Sequence, residues 1–500
     1  MTKTGTDPIF GKWGLSLSLL LAGAAAVLGY SPFDLFPAAL AGFALLVHCW
    51  AGAGSARTAG IQGFWFGFGF FGAGVSWVYV SLHRFGAMPA ALAAFATLAF
   101  CAFLALFPAL AGALQARLRA PAGVRAMLVI PAVWTLVEWL RSWVLTGFPW
   151  LTAGYAAIDT PLAGLAPLAG VHALSFALVA SAGMLWCVAT GQGRWLAAGS
   201  FIALGAAGAA LKGVAWSEPT GPALSVSLLQ GNIAQDIKFD PARYARTLET
   251  YARLAEQSRA RLIVLPETAL PRFLDLVEPA VLERLQNAAR SSAGDLLLGV
   301  PVRTGPASYF NSVISLGVSP RQAYHKVHLV PFGEFVPPGF GWINRILSIP
   351  LSDFSRGAAG QAPLAVAGER VAVNICYEDA FGAEIARQLP EATLLVNVSN
   401  VAWFGDSLAP RQHLQIARMR ALETGRMLLA ATNSGITAAI GPDAQVIAQL
   451  PQFVEGKLEL AVRGYAGSTP YVRFGDALAL GVCALMLAVA ALLARRAPSG

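Results

Sequence analysis

Eight long apolar runs punctuate this chain, at residues 13–30, 35–52, 59–82, 89–114, 124–146, 165–189, 194–213 and 475–494. A helix of about 20 such residues covers the ~30 Å of a bilayer's hydrocarbon, so each run is expected to be a transmembrane helix. Only 12% of residues are charged, against roughly a quarter in a soluble protein. The deficit lies in the runs, while 222–465 holds most of the acids. Three parts are expected: a transmembrane domain of seven helices over 1–213, a soluble domain over 222–465, and an eighth helix over 475–494.

Basic residues set the orientation. With a cytoplasmic N-terminus, Lys3, Lys12, Arg57, Arg117, Arg119, Arg125, Arg194, Arg495 and Arg496 all fall on one side, and Arg84 is the main exception. Both termini are then cytoplasmic, and the soluble domain is expected at the periplasmic face of a bacterial inner membrane. The first run is preceded by charge but followed by no small-residue cleavage site, so it reads as a span, not a signal peptide. The net charge of +8 reflects these loop arginines, with contacts to anionic lipid headgroups a further use for them. Zinc-type spacing, phosphate-cradling glycine loops and nucleic-acid patches are absent from the sequence, so neither metal, cofactor nor nucleic acid is expected. Within the fifth run, Glu138 and Arg141 stand three apart on one helix face. Ionisable residues there mark either a functional site or a self-neutralising pair. Trp150, in the GFPW stretch after it, is expected at the membrane interface or lining a lipid entry.

From 222 onward short apolar strands alternate with amphipathic helices, which argues α/β. Strands are expected at 224–232, 261–267, 295–302, 372–379, 393–400 and 427–433, and helices at 240–259, 278–293 and 413–426. Polar residues at the ends of apolar strands lie where such folds build sites. Three stand out: Glu267 in LPE, Lys326 in YHKVH and Cys376 in NICYED. Cys376 is the one cysteine of five outside the apolar runs. A carboxylate to take the thiol proton, a cation to stabilise an oxyanion, and a thiol nucleophile together make acyl-transfer chemistry. Nothing in the spacing itself places the three in one pocket.

The order LPETALP, HKVHLVPFGEFVP and NICYED resembles the Glu–Lys–Cys signature of the nitrilase superfamily. With the apolar frame around it, the chain is similar nearly end to end to the apolipoprotein N-acyltransferases, the membrane-embedded family within that superfamily. YSPFDLFPAAL, LHRFGAMP, EWLRSWVLTGFPW, LLQGNIAQDIKFD and VNVSNVAWFGDSLAPRQHLQIARMRALETGR carry the likeness further. The resemblance implies an αββα sandwich. It implies Glu267 as general base, Lys326 as oxyanion stabiliser and Cys376 as nucleophile. Glu334, Tyr377 and Glu378 are implied as supporting residues, and Asn232, Phe239 and Trp403 stand in matching stretches as further contacts. The implied acyl donor is a phospholipid such as phosphatidylethanolamine, and the acceptor is the N-terminal amine of a diacylated apolipoprotein. A monomer is expected, since one chain supplies every part. Phe239 stands where tryptophan is common in the family, and Val401 where an acid is. The apolar stretch 336–351 reads as a membrane-dipping lid or as a packed loop. Two other readings compete: a membrane-tethered amidase or lipid hydrolase with water as acceptor, and a transporter or scaffold with an inactive domain. The full Glu–Lys–Cys set argues against the second, as does the scarcity of ionisable residues in the spans.

Overall fold

The computed structural model describes residues 8–118, 120–305, 308–336 and 353–496. The stretch 337–351, most of the expected lid, lies outside the described residues, as do Lys3 and Arg119. The chain forms two compact units: one of residues up to Tyr79, Ala90–Val214 and those from Asp476 on, the other of Val80–Pro89 and Ala215–Gly475.

The first unit is helical. Among the described residues, Ala90–Arg117, Ala122–Arg141, Pro161–Thr190, Arg194–Lys212 and Ala477–Arg495 are each long and apolar enough to cross a membrane. A sixth crossing results if Ala56–Gly74 and the bent piece after it count as one span, and Gly14–Gly29 and Phe36–Ala51 are shorter apolar helices. The third run was expected to stay helical to residue 82, but its helix ends at Gly74, where Val75 leaves helical geometry at φ −124°, ψ 17°. Residues 80–89 cluster with the second unit instead.

Lipid provides no hydrophobic force between helices, so close contact depends on small residues. A Cβ at Gly63 would stand 2.2 Å from the Pro108 carbonyl oxygen, and one at Gly69 1.9 Å from that of Leu20. Between these contacts Phe43, Phe66, Phe70 and Trp134 are buried together, with Phe43 edge-on to Trp134 at 4.9 Å.

Among the described residues the second unit holds twelve strands: β1 Ser217–Gln230, β2 Leu262–Val264, β3 Asp295–Gly305, β4 Ser308–Gly317, β5 Ala323–His325, β6 Leu364–Val366, β7 Glu369–Ile375, β8 Leu394–Ser399, β9 Leu428–Thr432, β10 Ala438–Ile440, β11 Val446–Gln449 and β12 Gly456–Gly467. They form two six-stranded sheets, ordered β12-β1-β2-β3-β4-β5 and β11-β10-β9-β8-β7-β6. The strand period of two explains the layering. Val226 and Leu228 of β1, Val371 and Val373 of β7, and Leu394 and Val396 of β8 share one core between the sheets. Their neighbours face outward. Leu229 meets helix Pro241–Glu256 through Leu248 and Tyr251, and helix Pro279–Ser291 through Leu285. Ala372 and Leu395 meet helix Ala409–Thr424 through Ala417 and Ala421. This is an α/β/β/α sandwich. Asp240 starts the first of these helices, its carboxylate accepting the Ala242 N–H at 2.9 Å ahead of a proline in the first turn.

Candidate functional site

β2 and β5 are separated by β3 and β4 in one sheet and β7 lies in the other, yet the segment just past each supplies one charged or nucleophilic side chain to a common cluster. Past β2, Glu267 is buried. Its Oε1 accepts from Asn311 Nδ2 at 2.7 Å and from Lys326 Nζ at 3.3 Å. Its Oε2 accepts the Asn400 main-chain N–H at 2.8 Å. Burial alone would raise this carboxyl, but the Lys326 ammonium, the Asn311 amide, the Lys238 ammonium and the Asn400 N–H together hold it below the usual carboxylate range.

Lys326 follows the three-residue β5, locked in register by its own N–H on the Asn311 carbonyl at 2.8 Å. Only 1% exposed, it lies 2.9 Å from Glu334 as well as 3.3 Å from Glu267. Burial alone would lower its ammonium, yet Glu334 and Glu267 outweigh it and hold the proton firmly. Glu334 is fixed in turn by Asn311 Nδ2 at 2.8 Å and the Val330 N–H at 2.9 Å. Asn311 thus spans both carboxylates, a role that sequence reasoning missed. Nothing in SYFNSV distinguishes it until β4 pairs with β3 and β5.

The strand expected over 372–379 stops at Ile375, and Cys376–Ala380 turn tightly instead. Cys376 sits at φ 54°, a left-handed conformation that costs a non-glycine residue about 1–2 kcal/mol and points to function. Its carbonyl is held by Asn397 Nδ2 at 3.2 Å, with His413 Nε2 also at 3.2 Å. Burial drives the thiol well above its ordinary value; Glu267 and Glu334 add to this, and Lys326 and the Asn400 N–H oppose it. Free thiol is therefore the resting form, and its proton must leave as it attacks. The arrangement can perform nucleophilic acyl chemistry: a thiol, an adjacent carboxylate base and a buried cation.

Glu378 ties the turn to the lysine segment. Its Oε1 accepts the N–H groups of Val327 and His328 at 2.7 and 3.0 Å, its Oε2 that of Ile375 at 2.7 Å, and Tyr324 Oη lies 3.1 Å from both. Burial raises this carboxyl to about 7 against those donors. Glutamine offers one acceptor oxygen here and turns an NH2 toward donors. Glu378→Gln should therefore cost about 2–5 kcal/mol, since each orphaned buried donor costs about 1–3 kcal/mol. A folded pKa raised above the unfolded value adds stability at low pH that is lost as pH rises through about 7. Thermal unfolding in detergent should accordingly show the penalty largest near pH 5 and smaller near pH 8.

The remaining expected residues divide. Tyr377 is buried against Phe381, with ring centroids 5.2 Å apart. Trp403 stands in the turn after Asn400, its carbonyl accepting from Ser81 Oγ at 2.8 Å. Phe239 is partly buried one residue past Lys238, a buried lysine whose ammonium donates to the Glu267 carbonyl at 3.2 Å. Asn232 instead serves a surface loop, donating to the Phe453 carbonyl at 2.9 Å. Val401 is buried and packs against Gly435. Glu138, Arg141 and Trp150 belong to the helical unit. There Glu138 Oε1 accepts the Ala153 N–H at 2.7 Å, and Arg141 Nη1 donates to the Phe148 and Trp150 carbonyls. The pair pins residues 148–153. Trp150, expected at the membrane interface or lining a lipid entry, is 1% exposed and packed on Trp77 at 5.2 Å, with its carbonyl accepting from Arg141.

Residues 22–184 match the apolipoprotein N-acyltransferase N-terminal domain, and residues 225–471 match the carbon-nitrogen hydrolase family. The apolipoprotein N-acyltransferase of Nitrosomonas europaea is 49% identical over 94% of this chain and 96% of its own length. That of Ralstonia nicotianae is 45% identical over 92% of this chain and 89% of its own. That of Bordetella bronchiseptica is 43% identical over 99% of each. Similarity of this strength across both units, around a buried Glu–Lys–Cys cluster, shows that the chain belongs to the apolipoprotein N-acyltransferase family.

Proposed function

We propose that this protein takes an acyl chain from a membrane phospholipid onto Cys376 and passes it to the N-terminal amine of a diacylated apolipoprotein. The observation that carries the reading is the convergence on Cys376 of the charges of Glu267 and Lys326. In the first half-reaction Glu267 takes the thiol proton as sulfur attacks the donor ester, with the oxyanion facing Lys326. The ester C–O bond then breaks, and the proton returns to the departing lysophospholipid oxygen. In the second, the lipoprotein amine attacks the thioester, gives its proton to Glu267, and the C–S bond breaks to regenerate the thiol. Glu334 keeps Lys326 charged and aimed, and Glu378 and Tyr377 hold the turn. Phe239 and Trp403 are contacts on the substrate side. A phosphatidylethanolamine-like donor suits an enzyme embedded in lipid.

All eight apolar helices are taken to cross the bacterial inner membrane, with both termini cytoplasmic and the mixed unit periplasmic, acting as a monomer. This orientation rests on the distribution of lysine and arginine. The test is to incubate the purified enzyme with phosphatidylethanolamine in mixed micelles and a peptide bearing an N-terminal S-diacylglyceryl-cysteine. The peptide should gain one acyl chain on its α-amine, matched by lysophospholipid. Release of free fatty acid beside unmodified peptide would instead make the protein a lipid hydrolase.

A further inference from the structure

Lys238 is a buried cation to which the acyl-transfer steps above assign nothing. It is 2% exposed and its ammonium rests on the main-chain carbonyl of Glu267 at 3.2 Å. Among the described residues no carboxylate lies within ion-pair distance of it. An ammonium buried this way is costly unless its surroundings favour the charge. Burial does bring it down to about 8, and the groups that act against this are the Glu267 carboxylate and the Cys376 sulfur. The loop that carries it belongs to the wall of the site. Gln235 Oε1 accepts from Asn400 Nδ2 at 2.8 Å, and the Asn400 N–H is the donor on Glu267 Oε2.

The charge balance of the cluster calls for such a group. Lys326 alone faces two carboxylates, Glu267 and Glu334. Both carboxylates resist loss of the thiol proton, and His413 adds no charge, its imidazole being driven by burial down to about 4. One ammonium between two carboxylates leaves the pocket negative just where a thiolate must form and, later, leave.

We propose that Lys238 is a positioning cation of this centre: from the main-chain side of Glu267 it offsets the second carboxylate and eases ionisation of Cys376, so that two lysines set the acidity of the nucleophile. Its use in catalysis rests on the acyl-transfer reading, but thiol acidity is measurable without any lipid. The experiment is alkylation of Cys376 by iodoacetamide across a pH series in the full-length, detergent-solubilised protein. Peptide mass spectrometry reads Cys376 apart from the four cysteines of the apolar helices.

Thiolate is the reacting species, so below about pH 8, where Lys238 still carries its proton and the thiol is mostly protonated, Lys238→Met should slow alkylation about tenfold, and the difference should fade as the pH rises past that value. Lys238→Arg, which keeps the charge, should stay within about threefold. A folded Lys238→Met protein alkylated at the unsubstituted rate overturns the proposal. Should that variant not fold, Lys238→Gln replaces it with the same two outcomes, and an arginine variant slowed as much as the neutral one contradicts it equally. If alkylation shifts as expected while no acyl chain is captured from phospholipid, the acyl-transfer reading fails and the role of Lys238 stands.

Discussion

Cys376→Ser should leave the thermal unfolding of the protein nearly unchanged and reduce acyl capture from phospholipid by at least about a thousandfold. The substitution is close to isosteric, and the carbonyl contacts of the residue, to Asn397 and His413, do not depend on its side chain. What is lost is acidity. A serine hydroxyl ionises far less readily than a thiol and needs a strong base beside it. Glu267 is a weak one, held below the usual carboxylate range by Lys326, Asn311, Lys238 and Asn400. The nearest imidazole, His413, is engaged with the Cys376 carbonyl at 3.2 Å. In a pocket that already holds the thiol protonated, Glu267 can take the proton from sulfur as it attacks but is too weak a base to take one from a hydroxyl.

Glu267→Gln should slow both half-reactions together, by about 10²–10⁴-fold, the usual contribution of a positioned general base. The geometry adds a second cost. Three donors converge on this carboxylate: Asn311 Nδ2, Lys326 Nζ and the Asn400 N–H. A glutamine presents one oxygen to them and turns its NH2 toward at least one. Lys326 would keep Glu334 as its partner, so the fold should survive while the aim of the ammonium shifts. Single-turnover measurements of thioester formation and of its discharge to a diacylglyceryl-cysteine peptide separate the two steps. A variant slowed in only one of them would mean that Glu267 is not the shared acid and base.

The features legible in the sequence are those whose signal is local. Apolar runs as long as 89–114 or 475–494 declare a helix by length alone, and RLIVLPE and AVNICYED announce buried strands with polar ends. The departures arise where tertiary context decides. The third apolar run was expected to reach residue 82, but hydropathy is blind to the turn at Val75 that ends its helix at Gly74. The packing of Trp150 on Trp77, with its carbonyl bound by Arg141, likewise has no signature in the GFPW stretch. Asn311 and Lys238 are single polar residues in ordinary stretches, and only the pairing of β4 with its neighbours and the return of the 235–240 loop bring them to Glu267. Lys326 shows the same limit from the other side. The strand before it is three residues long and has no periodicity to read, so its chemistry made it a candidate and only the family likeness tied it to Glu267 and Cys376.

The central claim is that Cys376 carries the acyl chain between donor and acceptor. Its most direct test is the intact mass of the purified protein after mixing with phosphatidylethanolamine and no acceptor. The account predicts a gain of one acyl chain, absent in Cys376→Ser, removed by hydroxylamine, and discharged onto an added S-diacylglyceryl-cysteine peptide. A folded protein that acylates the peptide without ever showing this adduct, or shows it equally in Cys376→Ser, would contradict the account.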